Sequence, residues 1–453
     1  MTVPLFAHFK REHQARAHGI KCQRRVSAAS RPPHKSACML TALLLTWLTV
    51  LCADTASAES AEMFLSEPAS YTDVLEAFAG RGLPDFRLSL GFRTITRSST
   101  VQREDRTQVR AGTFTFRDFA RHERTTKLIW MTAEIGLYRG LMLVVSSPFV
   151  LEDARTLDAT PFAIRSGLLD HAVASSYDSR IRDGIPYVDL GLAYKLVDQF
   201  QHQNFPTWVV RFNAQIGTGK AMSPCLHGQS CFRGASRGTT QLQGETRFSF
   251  RHRLVEPYGG FFYAKEFVTT AGDNFWPKGV SSDSSNQQPP SRAGWTAGIA
   301  VIPWENRQRM QRLSVNGQLS STYVSAGRDY SPLFDVLGTS PSLMSVDGNG
   351  SGTTARFTGI TSVDAHVAMQ ADLHLMIRAA QYARFRFGLG VSKSTSHLIT
   401  GAYPCLDSVT ENGACPAGQT SPTYQAPIDR PGNRFRLTDI FALNVSASAA
   451  GQF

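Results

Sequence analysis

The sequence predicts an all-β fold: a transmembrane antiparallel up-and-down β-barrel of about twelve strands, within roughly 10–14, with long outer loops and short periplasmic turns. Three observations predict it. From Asp85 onward, apolar and polar residues alternate with a period of two. The connections between these segments alternate long and short, so the long ones all emerge at one end. An export signal precedes the whole.

The leader comes first. Residues 1–35 carry Lys10, Arg11, Arg16, Lys21, Arg24, Arg25, Arg31 and Lys35 against the single acid Glu12. An apolar run follows, Met39 to Cys52, and then Ala56-Ser57-Ala58. A basic flank, a short apolar core and a small-residue site make residues 1–58 a targeting segment, cleaved before Glu59. The alternative is a membrane anchor, for which the apolar core is short. Only Ser36–Ala53 reaches 18 consecutive uncharged residues, and mean hydropathy is −0.19, which excludes a bundle of membrane helices. Of the 453 residues, 42% are hydrophobic and 10% aromatic, which excludes wholesale disorder. The net charge is +11, but the leader holds eight bases and two acids, leaving 39 bases and 34 acids in residues 59–453. Over half of the excess charge belongs to targeting, so no nucleic-acid partner is expected.

Four cysteines follow the leader, in two close pairs: Cys225 with Cys231, and Cys405 with Cys415. In an exported chain such pairs read as two disulfide-closed loops. The alternative, a zinc site, requires both pairs to converge without any C-x₂-C spacing.

Residues 59–85 are a periplasmic lead-in. Val74, Leu75 and Phe78 stand at helical spacing. A short helix at the periplasmic mouth or inside the lumen is one reading, and a disordered lead-in the other. The barrel spans 86–453. Its first strand sets Phe86, Leu88, Leu90 and Phe92 against Arg87, Ser89, Gly91 and Arg93. Further along, Trp208, Val210, Phe212, Ala214 and Ile216 oppose Arg211, Asn213, Gln215 and Gly217. Between Val363 and Ile377, Val367, Met369, Leu373 and Leu375 oppose His366, Gln370, Asp372 and His374. In ARFRFGLGVS, Phe385, Phe387, Leu389 and Val391 oppose Arg384, Arg386, Gly388, Gly390 and Ser392. The segments are 86–97, 124–138, 140–152, 186–198, 207–218, 240–252, 257–267, 293–304, 310–325, 356–376, 382–399 and 434–453. The long connections are 98–123, 153–185, 219–239, 268–292, 326–355 and 400–433, and both cysteine pairs fall in them. A barrel in lipid needs apolar residues outside, tolerates polar ones inside, and by closing leaves no sheet edge unpaired. Tyr138, Tyr187, Trp208, Tyr258 and Trp304 fall near strand ends, where interfacial girdles sit.

The chain ends FALNVSASAAGQF, with Phe441, Leu443, Val445, Ala447, Ala449, Gly451 and Phe453 on one face. This resembles the C-terminal strand of Gram-negative outer-membrane proteins. The resemblance implies an outer-membrane location and makes Phe453 the signal read by the barrel assembly machinery. The departure is Gly451, where an aromatic is usual, together with the small Ala447 and Ala449. The hairpin Glu134–Leu157 and the strand Pro206–Gly219 resemble uncharacterised transporter-like and porin-like barrels.

No catalytic or cofactor motif completes itself. Gly217-Thr218-Gly219-Lys220 lacks the first glycine of a phosphate loop, and Ala221 stands where a hydroxyl is needed. Asp347–Gly352 opens like a calcium loop, but Thr358 replaces the acid at its twelfth position. There is no G-x-S-x-G. His366, His374 and Ser392 fall on inward faces, while a lipid hydrolase needs its site facing lipid; Asp329, Asp335 and His397 carry no specific protease pattern. No enzyme activity, cofactor or metal is expected.

The lumen remains. The inward bases are Arg87, Arg93, Lys195, Arg211, Arg247, Arg251, Arg384, Arg386 and Arg436, against the acids Glu134, Asp189, Asp364 and Asp372. A basic interior attracts anions and slows cations. The expected function is passive passage of small solutes, anions among them. Salt bridges filling a modest lumen are the alternative. They would leave a non-conducting barrel whose outer loops bind a partner or surface polymer; an outer-membrane enzyme stands third. The expected partners are outer-membrane lipid, the assembly machinery and small solutes, and the sequence does not fix the oligomeric state.

Overall fold

A computed structural model describes residues 71–75, 85–110, 113–161, 163, 176–202, 204–230, 234–269, 275, 288–306, 308–346, 354–380, 382–402 and 423–453. The targeting segment, Phe78, Cys231, Cys405 and Cys415 lie outside them. No helix among the described residues is long and apolar enough to cross a membrane.

In chain order the elements are β1 (Phe86–Arg110), β2 (Thr113–Tyr138), β3 (Leu141–Ala159), β4 (Ser176–Asp178), β5 (Arg182–Gly184), β6 (Val188–Val197), β7 (Thr207–Ile216), β8 (Thr239–Ser249), β9 (Val255–Val268), β10 (Arg292–Asn306) and β11 (Gln311–Val324). Then come β12 (Gly327–Asp329), α1 (Phe334–Thr339), β13 (Met344–Val346), β14 (Thr354–Arg356), β15 (Thr361–Val363), β16 (His366–Ala380), β17 (Ala383–Ser394), β18 (His397–Leu398), α2 (Ala426–Asp429) and β19 (Phe435–Gln452). Twelve strands pair antiparallel in the ring β1-β2-β3-β6-β7-β8-β9-β10-β11-β16-β17-β19, and β19 returns to β1. Each of the twelve expected segments overlaps one of them.

The wall sorts residues as water-free surroundings demand. Leu88, Leu90 and Phe92, then Phe212, Phe261, Leu319, Leu373 and Phe387, are exposed on the outside. An apolar belt of this kind around a closed sheet is that of a transmembrane barrel of the outer-membrane type. On β17 the reason for alternate glycines is contact. A Cβ on Gly390 would stand 2.1 Å from Asp372 Oδ1, and one on Gly388 2.5 Å from His374 Nδ1. Glycine inside and Phe387 or Leu389 outside lets neighbouring inward side chains lie flat against the wall. Both ends of the barrel chain meet at the short-turn end: the Phe453 N–H donates to the Phe86 carbonyl at 2.8 Å, and the Phe86 N–H donates to the Phe453 carbonyl at 3.1 Å.

The outer end departs from the expectation in three ways. Residues 98–123 are not a loop. β1 and β2 run on as a hairpin, paired from Phe86–Ile135 to Arg110–Thr113, and β19 follows β1 as far as Arg103–Phe435. Above the lipid belt no apolar face is imposed, so SSTVQREDRT lacks the alternation that marks a spanning strand. Second, β16 begins at His366, ten residues later than expected; the chain before it makes β15 and part of a cap. Third, a bulge at Asp439, whose φ is +51°, shifts the β1–β19 register between Ser98 and Thr100. Beyond it every side chain changes face.

The outer connections fold together over the mouth. α1 brings Leu333, Val336 and Leu337 into a buried cluster with Val101, Phe119, Leu157, Phe357, Ile399, Ile428 and Phe435. Several buried polar groups there are paired, although Arg182 Nε and Nη1 and the hydroxyls of Ser331 and Thr361 have no hydrogen-bond partner. Arg182 is ion-paired with Asp335, which also accepts from the Cys225 N–H at 3.0 Å. Arg328 donates to the carbonyls of Phe275 and Ile360 at 2.9 and 2.7 Å. The Asp429 carboxylate accepts from the N–H groups of Gly401, Ala402 and Gln425. Burial pushes its pKa up, and these bonds only partly offset that. Cys225 is disulfide-bonded. Its pairing with Cys231, like that of Cys405 with Cys415, remains an expectation.

Candidate functional site: the barrel lumen

The lumen is bounded at its periplasmic end by the described part of the lead-in. Residues 71–75 form a turn followed by three residues outside any helix or strand, and the rest of the lead-in expected at 59–85 lies outside the described residues but for Asp85. Val74 and Leu75 are buried among Met142, Val144, Ala193 and Val209, small inward residues of β3, β6 and β7. Thr72 Oγ1 lies 2.6 Å from Ser249 Oγ. Tyr71 packs on Tyr258 at 4.7 Å, donates to Glu245 at 3.3 Å, and accepts from Arg247 through its carbonyl at 3.0 Å. Asp73 is the centre of the contact. Its Oδ2 accepts from Arg87 Nη2 at 2.7 Å and from Arg384 Nη1 at 3.0 Å, and Arg87 also pairs with Glu134 at 2.9 Å.

A cavity of about 240 Å³ opens beside this carboxylate. Its lining mixes Arg87, Arg312, Arg378, Arg384 and Arg386 with Glu134, Ser89, Ser314 and Ser448 and with Ala300, Ile302 and Met376, the last opposite Arg386 in the β16–β17 ladder. Arg386 is exposed to the lumen and makes no ion pair or hydrogen bond among the described residues; its electrostatic neighbours are Arg93 and Asp372. Arg93 lies over the Trp130 ring at 5.0 Å, and its Nε has no hydrogen-bond partner. Arg211 donates to Asn213 at 2.8 Å without an ion pair among the described residues.

β7 stands six places from β17 in the ring of twelve, so the two face each other across the lumen. The wall of β6, β7 and β8 offers Asp189, Asn213, Gln215, Gln241 and Gln243 around a small recess, and Asp189 Oδ1 has no hydrogen-bond partner there. Arg247 on this wall is neutralised by Glu245 at 2.7 Å.

Under the cap lies a second chamber of about 510 Å³. Its ion pairs include Arg124 and Arg155 with Asp153, Arg237 with Glu266 and Asp329, and Arg292 with Glu266. Arg97 lines it without an ion pair among the described residues. His366 and His397 stack at 3.9 Å, each with Nδ1 on a backbone carbonyl. No group of three or more metal-ligating side chains gathers among the described residues.

The expected lumen residues therefore divide. Arg87, Arg93, Glu134, Asp189, Arg211, Arg247, Asp372, Arg384 and Arg386 face the interior. Lys195 and Arg251 sit at the periplasmic rim, paired with Asp198 and Glu305. Two belong elsewhere. Asp364 precedes β16 and is exposed at the outer end. Arg436 lies beyond the Asp439 bulge, bonded to Gln102 at 2.6 Å and 4.0 Å above the Phe116 ring. Likewise Tyr258 is no girdle residue: it turns inward and donates to Asn316 at 2.5 Å, while Tyr187 lines the upper chamber. Arg97 and Arg378 keep the inward parity of Arg93 and His374 but are absent from the expected lumen set: Arg97 is the last residue of the expected strand 86–97, and Arg378 lies beyond the end of 356–376. Asp73 carried no periodic signal at all.

No protein-family model and no curated protein matches the chain. Solved structures similar to it include an outer-membrane channel from Pseudomonas putida F1 (8% identity, 85% of this chain and 99% of that one, TM-score 0.35). A Pseudomonas aeruginosa FadL homologue shares 8% identity over 85% and 94%, TM-score 0.34. The Escherichia coli outer-membrane protease OmpT shares 6% over 82% and 97%, TM-score 0.27. Likeness at this level says nothing about what the chain binds.

Proposed function

We propose that this barrel is an outer-membrane channel for small solutes with a preference for anions. The observation that carries the reading is the surplus of lumenal arginine: Arg93, Arg97, Arg211 and Arg386 face the interior without ion pairs among the described residues. In a low-dielectric wall such charges concentrate anions. The amide-rich face of β6–β8 supplies hydrogen-bond partners on the other side of a passing solute. Exported protein reaches its place through a leader ending at Ala58 and an assembly signal at Phe453, and outer-membrane lipid surrounds the belt.

The test is single-channel recording of the purified protein in a planar bilayer under a KCl gradient. The expected result is stable steps reversing near the chloride equilibrium potential, and a shift of at least half-way toward zero in the Arg93→Gln/Arg386→Gln double variant. Equal chloride and potassium permeability in the wild type overturns the anion preference. Folded protein without steps overturns passage and favours the second reading, a non-conducting barrel that binds a partner through its outer end. The observation behind that second reading is the folded cap itself, built on a buried apolar cluster.

A further inference from the structure

Three arginines stand side by side on neighbouring strands under the cap. Arg97 on β1 is the ladder partner of Arg124 on β2, and Arg124 is the ladder partner of Arg155 on β3. All three line the upper chamber. Side chains paired in this way stand about 5 Å apart at Cβ, and like charges so placed repel. One carboxylate, Asp153, lies in the row, and it holds Arg124 and Arg155 at 2.7 Å each. Arg97 makes no ion pair or hydrogen bond among the described residues; its electrostatic neighbours are Asp329 and Arg155. Beside the row, Ser99 faces His122 across the same ladder. His122 is buried, lines the chamber, and its Nε2 has no hydrogen-bond partner.

The charge of the whole chamber says which kind of anion matches it. Arg237 and Arg292 share Glu266, and Arg237 also holds Asp329. Five guanidinium groups therefore face three carboxylates, an excess of two positive charges. A monoanion removes half of that excess and a dianion all of it. Phosphate offers the dianion together with oxygens that accept paired guanidinium hydrogen bonds. The chamber, at about 510 Å³, has the size of a site for a small organic molecule. Leu128 and Val150, ladder partners that line it on the side toward the lipid belt, and Tyr187 give it an apolar part.

Resting on the channel reading and naming its anion, we infer that the chamber under the cap binds a small phosphate monoester, whose phosphate bridges Arg97 and Arg124 and whose organic group extends toward Leu128 and Val150. Arg124 gives Nε and Nη2 to Asp153, which leaves Nη1 for the ligand, and Arg97 brings its whole fork. The bound phosphate then screens Arg97 from Arg124, as Asp153 screens Arg124 from Arg155.

Titration calorimetry on the purified, folded protein reads the binding directly. The probes are inorganic phosphate, phenyl phosphate and sodium nitrate at equal ionic strength and about pH 8, where phosphate is a dianion. Phosphate is expected to bind at least about tenfold more tightly than nitrate, and phenyl phosphate severalfold more tightly than phosphate. Arg97→Gln is expected to weaken phenyl phosphate about tenfold or more, since it removes a charge-assisted pair. Arg121→Gln removes the same charge from an exposed side chain of β2 and is expected to change the affinity by less than about twofold. Arg97→Lys guards against a folding fault: it keeps the charge, loses the fork and retains part of the affinity. Nitrate binding as tightly as phosphate, or equal losses in Arg97→Gln and Arg121→Gln, overturns the inference. Phenyl phosphate no tighter than phosphate overturns the ester and leaves free phosphate as the ligand. Conductance separates the site from the channel reading. Binding that needs Arg97 in a protein that never conducts keeps the site and removes passage; conduction without phosphate binding does the reverse.

Discussion

At the scale of single residues, the interior of the wall is set by which side chains lie flat. Asp372 accepts from Gln370 Nε2 at 2.8 and 2.9 Å while its Oδ1 fills the space a Gly390 Cβ would take. Gly390→Ala is therefore expected to destabilise the barrel by about 1–3 kcal/mol, the usual cost of forcing a packed neighbour aside. The measurement is the midpoint of denaturant unfolding in detergent; an unchanged midpoint would show that Asp372 turns away freely. Residue-level roles were only partly legible in the sequence. Arg87, Arg93, Arg384 and Arg386 could be read because parity is conserved along an unbroken strand. Arg436 could not, since one inserted residue at Asp439 inverts the faces and leaves no mark in the alternation. Asp73 could not either: five consecutive residues held by a stacked tyrosine, a hydroxyl contact, an ion-paired carboxylate and two apolar side chains have no period to detect.

At the scale of elements, the twelve strands were legible where lipid imposes a rule and illegible where it stops. The β1–β2 hairpin continues well past the belt, whose outer margin the Lys127–Glu152 pair marks, and no sequence signal separates that extension from a loop. The ladders also differ in length. β3 pairs with β6 only from Leu141–Tyr194 to Ser146–Asp189, whereas β1 pairs with β19 from Arg87–Gln452 to Arg103–Phe435. Amides held by a short ladder open without disturbing much else. Hydrogen exchange is expected to appear first in β6 on its β3 side, at rates at least tenfold above those of the β1–β19 seam. Uniform protection around the ring would mean that the neighbouring strands hold this seam shut.

At the scale of the whole molecule, two hydrophobic systems with opposite logic share one chain. The belt turns its apolar residues out to lipid, while the cap buries Leu337, Leu343, Phe357 and Ile428 away from water. The cap is stabilised by the hydrophobic effect and the wall by its closed hydrogen-bond ladder. Truncating the cap should therefore spare the barrel. Leu337→Ala is expected to cost the cap about 2–5 kcal/mol and to make residues around α1 sensitive to added protease, with the folded barrel's mobility on an unheated gel unchanged. Loss of that mobility would show the two to be a single cooperative unit.

Asp73 has a consequence for closure. Its carboxylate joins Arg87 on β1 to Arg384 on β17, the two strands on either side of β19. One side chain from outside the wall therefore spans the strand that completes the ring, like a clasp laid across a seam.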